Sequence, residues 1–251
     1  MKTVVITNQK GGVGKTTLSV HLAHYAAESV PRVLVIDLDS QGHTSYSLSE
    51  FDSGTKASDL FSDKPFKLAS EGRNITLVAA DPGLDVVAKE PTSIIGHLVK
   101  NMELIAAEFD FCVIDTGPAK GNLQNGALVV AGYVVSPVDL EQYSILGLEK
   151  LLATIMGIQK HYNPKLTFLG MLPSKFNSHS PAQKQALMEL AKAYGKFMLR
   201  GSAIVLRTSI GEAAAEKKPV WKMTKTSARE AGKEFRAVLA AIEEKMGGFN
   251  D

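Results

Sequence analysis

A short run near the N-terminus has the types and spacing to hold phosphate: Asn8-Gln9-Lys10-Gly11-Gly12-Val13-Gly14-Lys15-Thr16-Thr17. Its glycines allow positive φ and close approach of backbone to a ligand. Between a strand and a helix, such a loop turns its N–H groups inward, and the helix adds its positive end. Lys15 can then neutralise β/γ-phosphate charge, and the Thr16 hydroxyl is placed to ligate Mg²⁺. The strict spacing G-x-x-x-x-G-K-[ST] is not met, because Gln9 stands at its first glycine. The loop reads K-G-G-x-G-K-T, with a second lysine, Lys10, at its entrance.

Two acidic segments accompany it. Asp37-Leu38-Asp39-Ser40-Gln41-Gly42 carries two carboxylates at i and i+2, which an extended backbone points the same way. Asp, Ser and Gly also favour a plain turn. Placement at a strand's carboxyl end beside the first loop favours catalysis, since open α/β sheets bind ligands there. Asp115-Thr116-Gly117-Pro118 closes another apolar strand, the expected position of a Mg²⁺-side acid.

Strands are predicted at Thr3–Thr7, Val33–Ile36, Ile75–Ala79, Phe111–Ile114, Tyr133–Ser136, Leu166–Leu172 and Ala203–Leu206. Their consecutive apolar residues suit strands covered on both faces. Helical spacing runs over Thr16–Glu28, Ile94–Glu108, Tyr143–His161, Ala182–Gly195 and Ser227–Met246. This alternation predicts an α/β fold, a mostly parallel twisted sheet with helices on both faces. It is expected to form one domain over residues 1–251, with a less regular insertion near Leu48–Arg73.

Composition narrows the classes. With 45% hydrophobic and 22% charged residues in 251, bulk disorder is excluded. Cys112 alone supports no internal disulfide framework and no multi-cysteine metal site; it is expected in the core. No apolar run reaches the about 18 residues of a membrane span, and the N-terminus lacks a secretory pattern, so a cytoplasmic protein is expected. His21 and His24 lie three apart without a third ligand and are expected to pack; Trp221 is expected to hold the last helix to the body.

The net charge of +2 is unevenly spread. From Lys192 onward basic residues exceed acidic ones by five, including Arg200, Arg207, Lys217, Lys218, Lys222, Lys225 and Arg229. Such asymmetry suits a phosphate-backbone binder. Solvated helix faces with i,i+4 pairs are the alternative.

Together these motifs resemble the deviant-Walker ATPases of the ParA/MinD class, and most closely the short, plasmid-type (IncC-like) partition ATPases. The segment 8–17 is similar to that family's first motif. Residues 37–42 resemble D-x-D-P-Q-G, with Ser40 for proline, and 115–118 resemble D-T-P-P, with Gly117 for the first proline. Pro137 through Gly147 resembles P-x-x-x-E-x-Y/F-x-x-x-G, and Glu212 through Val220 resembles S-E-A-x-x-x-G-K-P-V. The family's R-N-V-R stretch has no clean counterpart at Leu206–Ser209. Beginning at the P-loop strand, the chain resembles members without an N-terminal helix-turn-helix.

The resemblance implies ATP and Mg²⁺ as ligands and weak ATP hydrolysis. Gly11, Gly12, Val13, Gly14, Lys15, Thr16 and Thr17 would bind the nucleotide. Thr16 and Asp115 would serve Mg²⁺, with Asp37 supporting the ion or the loop. Asp39 would orient the attacking water. Lys10 would reach across a two-fold interface to the partner's nucleotide, as an arginine finger does. It also implies an ATP-dependent homodimer on non-specific double-stranded DNA, a nucleoid location, and release stimulated by a ParB-like centromere-binding protein. A MinD-like membrane-cycling ATPase would need a basic, apolar C-terminal helix, whereas the chain ends in the acidic Glu243–Asp251 segment. A nitrogenase-iron-protein relative needs two cluster cysteines, and a dethiobiotin-synthetase-like ligase would not need Lys10. An ATPase that positions another cargo on the nucleoid is the remaining alternative.

Overall fold

The computed structural model describes residues 1–69, 72–141, 145–199 and 201–249. Its strands are β1 (Lys2–Ile6), β2 (Val33–Leu38), β3 (Asp52–Lys56), β4 (Ile75–Ala79), β5 (Phe111–Thr116), β6 (Tyr133–Asp139) and β7 (Thr167–Ser174). They form one sheet in the order β3-β4-β2-β5-β1-β6-β7. Every pairing between these strands is parallel. The helices are α1 (Lys15–Ala26), α2 (His43–Ser47), α3 (Gly83–Val87), α4 (Ile95–Ile105), α5 (Asn122–Val130), α6 (Ile145–His161), α7 (Pro181–Tyr194), α8 (Thr208–Ala215) and α9 (Thr226–Met246).

Period-2 alternation sends successive strand residues to opposite faces. Val4, Ile6, Val33, Val35 and Val113 pack under α1 and α9 with Leu18, Leu22, Phe235 and Leu239. Val5, Leu34, Ile36, Cys112 and Ile114 pack under α4, α5 and α6 with Leu98, Leu128 and Leu151. Both faces are covered, which is why the strands read as continuous apolar runs. Cys112 is a buried core residue whose thiol is pushed up by burial.

Two expectations are corrected. Ala203–Leu206 is not a strand: it touches the chain beyond β7 through the single bridge Phe176↔Val205. The ladder does not extend beyond that one pair, because its partner Phe176 already lies past Ser174, where β7 ends. In the irregular insertion, Asp52–Lys56 is an edge strand. Its inward side chains are hydroxyls rather than hydrocarbons: Ser53 Oγ donates to Leu77 O (2.8 Å) and Thr55 Oγ1 to Lys67 O (3.1 Å). Tyr143, at the predicted start of α6, lies outside the described residues.

The last helix is tied to the first. The His21 ring stacks on Phe235 with centroids 4.3 Å apart. Its Nδ1 lies 2.7 Å from Thr17 O, and its Nε2 accepts the Val220 N–H (3.1 Å). That network assigns the proton to Nδ1. Trp221 Nε1 donates to Glu28 (3.0 Å), and the Arg236 guanidinium lies over the indole at 4.7 Å.

Burial lowers His21 to about 4 from the ordinary 6.5. The unfolded chain therefore binds the extra proton between those values. Stability contributed by neutral His21 is complete above pH 6.5 and is lost as pH falls toward 4. Buried carboxylates with raised pKa act with the opposite sign, so the comparison must be between variants. His21→Gln is expected to be less stable than wild type at pH 7.5, with the gap narrowing by about 2 kcal/mol at pH 5. Urea unfolding at the two pH values measures this; a constant gap contradicts it.

Candidate functional site

The phosphate loop is fixed at both ends. At its entrance the Thr7 N–H donates to Val135 O (3.2 Å). Asn8 Nδ2 donates to Pro137 O (2.8 Å), while Asn8 Oδ1 accepts the Lys10 N–H (3.0 Å). Asn8 thus clamps the loop to β6. At its exit Gly14 takes a left-handed φ of 91° and starts α1. A Cβ there would lie 2.8 Å from Ser174 Oγ, so close approach and backbone sign both require glycine.

Lys15 opens α1 and curls back, its ammonium donating to Lys10 O (3.0 Å). Burial lowers its pKa, with Asp115 and then Asp39 opposing the shift. The first turn of α1 carries no acidic residue and no side-chain cap. Its free N–H groups and positive end therefore face the loop, an arrangement suited to an anion.

Below lie the carboxylates. Asp37 and Asp115 are register neighbours at the ends of β2 and β5, and both are fully buried. Asp37 is occupied: one oxygen accepts the Ser45 N–H (2.8 Å) and hydroxyl (2.7 Å), the other the Asp39 N–H (3.0 Å). Burial raises its pKa even so. Asp115 is occupied on one side only. Its Oδ2 accepts hydroxyls from Thr16 (3.0 Å) and Thr44 (2.7 Å), and its Oδ1 is buried with no partner among the described residues. Burial, then the Asp37 charge, pushes Asp115 up to about 7. An orphaned carboxylate oxygen beside a threonine hydroxyl is a hard-oxygen donor set, which fits Mg²⁺ or its water.

Asp39 leaves the strand and accepts the Gln41 N–H on Oδ1 (3.1 Å). It leans on the 115–118 loop: a Cβ on Gly117 would be 3.1 Å from Oδ1 and 3.3 Å from Cγ. The glycine at this position makes room for the carboxylate.

Gly11, Gly12, Gly14, Lys15, Thr16, Thr17 and Asp39 all border one cleft of about 360 Å³. Val13 is buried beneath the loop. An apolar cavity of about 260 Å³ adjoins the cleft and shares Gly14, Thr17 and Lys175 with it, running on between β7 and α8 past Ile204, Leu206 and Ile210. Lys10 borders a different cleft, of about 380 Å³, with Lys120, Asp139 and Lys150. The two lysines of the loop therefore serve different spaces.

Several residues around the site were not singled out from sequence. Thr116 Oγ1 bonds Ile6 O and Thr7 Oγ1 (both 3.0 Å), and Gln124 Nε2 donates to Thr7 Oγ1 (2.9 Å). Thr44 and Ser45 on α2 hold the carboxylates. Their common signal is polarity at positions that face inward, at the end of β5 for Thr116 and on α2 and α5 for Thr44, Ser45 and Gln124, visible only once those elements are known.

The basic residues do not form one patch. Arg207 is held by Glu234 (2.6 Å) and Glu230 (3.7 Å), Lys225 by Glu212 (2.9 Å), and Arg229 is exposed on α9. Lys217, Lys218 and Lys222 share a cleft of about 660 Å³ with His24 and Glu50. Arg200 lies outside the described residues.

The family model for an AAA domain matches residues 1–168. Protein IncC of Escherichia coli is 41% identical over 252 residues, covering 98% of this chain and 70% of that protein. Chromosome partitioning protein ParA of Myxococcus xanthus is 32% identical over 202 residues, covering 77% of this chain and 71% of that one. The chain belongs to the ParA-type partition ATPases. In fold, it matches the ATP complex of a Cyanothece McdA variant with a TM-score of 0.83, at 22% identity, covering 99% of this chain and 97% of that one.

For this ParA-type chain the loop geometry makes a direct prediction. Gly14→Ala meets both the left-handed backbone and Ser174, and is expected to lose about 1–3 kcal/mol of stability. Adding Ser174→Ala should recover the part due to contact and leave the backbone part. Thermal unfolding of the single and double variants tests this; an unchanged melting temperature for Gly14→Ala contradicts it.

Proposed function

We propose that this protein hydrolyses ATP as a dimer, and that the ATP-bound dimer holds non-specific double-stranded DNA in a partition process. The observation that carries this reading is the division of labour between Lys15, inside the phosphate cleft, and Lys10, facing the cleft beside it. A lysine that borders a neighbouring cleft and not its own cradle is a candidate to serve a second nucleotide.

The P-loop N–H groups and the start of α1 bind the phosphate oxygens, and Lys15 balances their charge. Thr16 and Asp115 would hold Mg²⁺, which when bound neutralises charge developing on the β- and γ-phosphates. Asp39 would orient the attacking water. Asp37 acts on the loop, since both of its oxygens hold Asp39 and Ser45. Lys10 completes the charge stabilisation in the partner's site.

Binding of the DNA backbone falls to Lys217, Lys218 and Lys222, which share one cleft, and to Arg207, Lys225, Arg229 and Arg200 as further cations of the basic C-terminal region. The ion pairs at Arg207 and Lys225 are partly or fully solvent-exposed and so cost little to exchange for phosphate. Dimerisation doubles the phosphate contacts, which raises affinity steeply and makes it salt-dependent. A ParB-like centromere-binding protein would stimulate hydrolysis and release, and a nucleoid location in the cytoplasm follows from the DNA reading. A membrane-cycling role is less well supported: Phe249 at the end of the described tail is buried against Phe111, with centroids 4.6 Å apart.

Gel shift with non-specific duplex under ATP, ADP and no nucleotide tests the reading. Wild type should shift DNA with ATP alone. Asp39→Ala should shift it and release no phosphate. Lys10→Ala should bind ATP, remain monomeric by light scattering, and lose DNA affinity by about 10-fold or more. Equal DNA binding under ATP and ADP, or a Lys10→Ala protein that dimerises on ATP, overturns the reading.

A further inference from the structure

Among the described non-glycine residues only Lys175 and Lys217 have positive φ. Lys217 is held on the Tyr46 ring at 4.0 Å and bonded to Ser49 Oγ (3.0 Å). Lys175, with φ 55°, has an exposed side chain that makes no hydrogen bond or ion pair among the described residues.

Its neighbours dictate its backbone. Pro173 O accepts the Ile204 N–H (2.8 Å). Two residues beyond Lys175's predecessor, Phe176 is pinned twice: its N–H donates to Ile204 O (2.9 Å) and its O accepts the Leu206 N–H (3.0 Å). Ser174 is buried against Gly14. The chain must turn in the one position between these fixed points, and it does so in the left-handed region. For a lysine that conformation carries strain, which persists only where the surroundings over-determine it, and such strain clusters at ligand-binding positions. Glycine would meet the same turn without strain.

Position supplies the reason for a cation. Lys175 borders the phosphate cleft, with Lys15 and Thr16, and also the apolar cavity formed with Ile204, Leu206 and Ile210. The other two residues common to both spaces are Gly14 and Thr17, which carry no charge. Lys175 therefore stands where a ligand with a phosphate chain and an apolar ring passes from one space to the other.

We propose that Lys175 is a nucleotide-binding residue that holds the phosphate next to the nucleoside, and that this chain retains backbone strain to place it there. The ligand class is a nucleoside di- or triphosphate. The contact lies at the nucleoside end, so it is the same for both and does not sense the terminal phosphate.

The proposal rests on the nucleotide reading of the cleft, and the test separates the two. Calorimetric affinities for ATP and ADP and melting temperatures are measured for wild type, Lys175→Gly and Lys175→Arg. Lys175→Gly should melt higher, by about 2–4 °C, because strain is relieved. It should bind ATP and ADP more weakly by the same factor, about 10-fold, one lost charge-assisted contact. Lys175→Arg should keep the wild-type affinity for both. The opposite movement of stability and affinity in the glycine variant is an outcome that a purely structural lysine would not produce. If wild type binds neither nucleotide, the nucleotide reading fails. If wild type binds and the glycine variant binds equally well, or loses affinity for ATP alone, the Lys175 proposal is overturned while that reading stands.

Discussion

Two carboxylates buried side by side at the ends of β2 and β5 are the constraint on which the rest of this structure depends. Asp37 and Asp115 are register partners with no exposure to solvent. Desolvation and mutual repulsion both disfavour two charges there. The fold resolves this unequally. The short helix α2 brings Ser45 to Asp37 and Thr44 to Asp115, and the turn after β2 gives Asp37 the Asp39 N–H. Asp37 becomes a rigid strut. Asp115 keeps one unpartnered oxygen, Oδ1, while its Oδ2 accepts from Thr16 and Thr44. A buried polar atom left in this way calls for an explanation, and a ligand from outside the chain would supply one.

The same economy explains the loop above it. Lys15 is drawn inward by Asp115 and Asp39 and parks on the Lys10 carbonyl, so the cradle is closed by its own lysine. Asn8 transmits the position of β6 to the loop entrance. The cleft is thus assembled from the carboxyl ends of β1, β2, β5 and β7, the edge of the sheet where parallel α/β folds place their ligands.

Much of this was legible in the sequence, for physical reasons. Parallel strands buried on both faces are apolar at every position, so β1, β2, β4, β5, β6 and β7 stand out. Glycine, lysine and threonine at loop spacing announce a phosphate cradle. What escaped notice is polar and inward-facing. β3 offers Ser53 and Thr55 to the interior and carries a glycine. α5 opens with polar residues instead of an apolar run: Asn122 donates to Val87 O and Glu90 O, and Gln124 to Thr7 Oγ1. Ala203–Leu206 has a strand's composition but forms only the single bridge Phe176↔Val205. The contribution of Lys175 was invisible because neither composition nor spacing reports the sign of φ.

The central claim is that the unpartnered side of Asp115 is the chain's share of a Mg²⁺–nucleotide site. Calorimetric titration of ATP, with Mg²⁺ in excess and with Mg²⁺ chelated, tests it most directly when wild type is set beside Asp115→Asn. The account predicts that Mg²⁺ tightens ATP binding by wild type about 10-fold or more, and that Asp115→Asn binds Mg²⁺-free ATP as wild type does but gains nothing from the ion. An Asp115→Asn protein that shows the full wild-type gain from Mg²⁺ would contradict it.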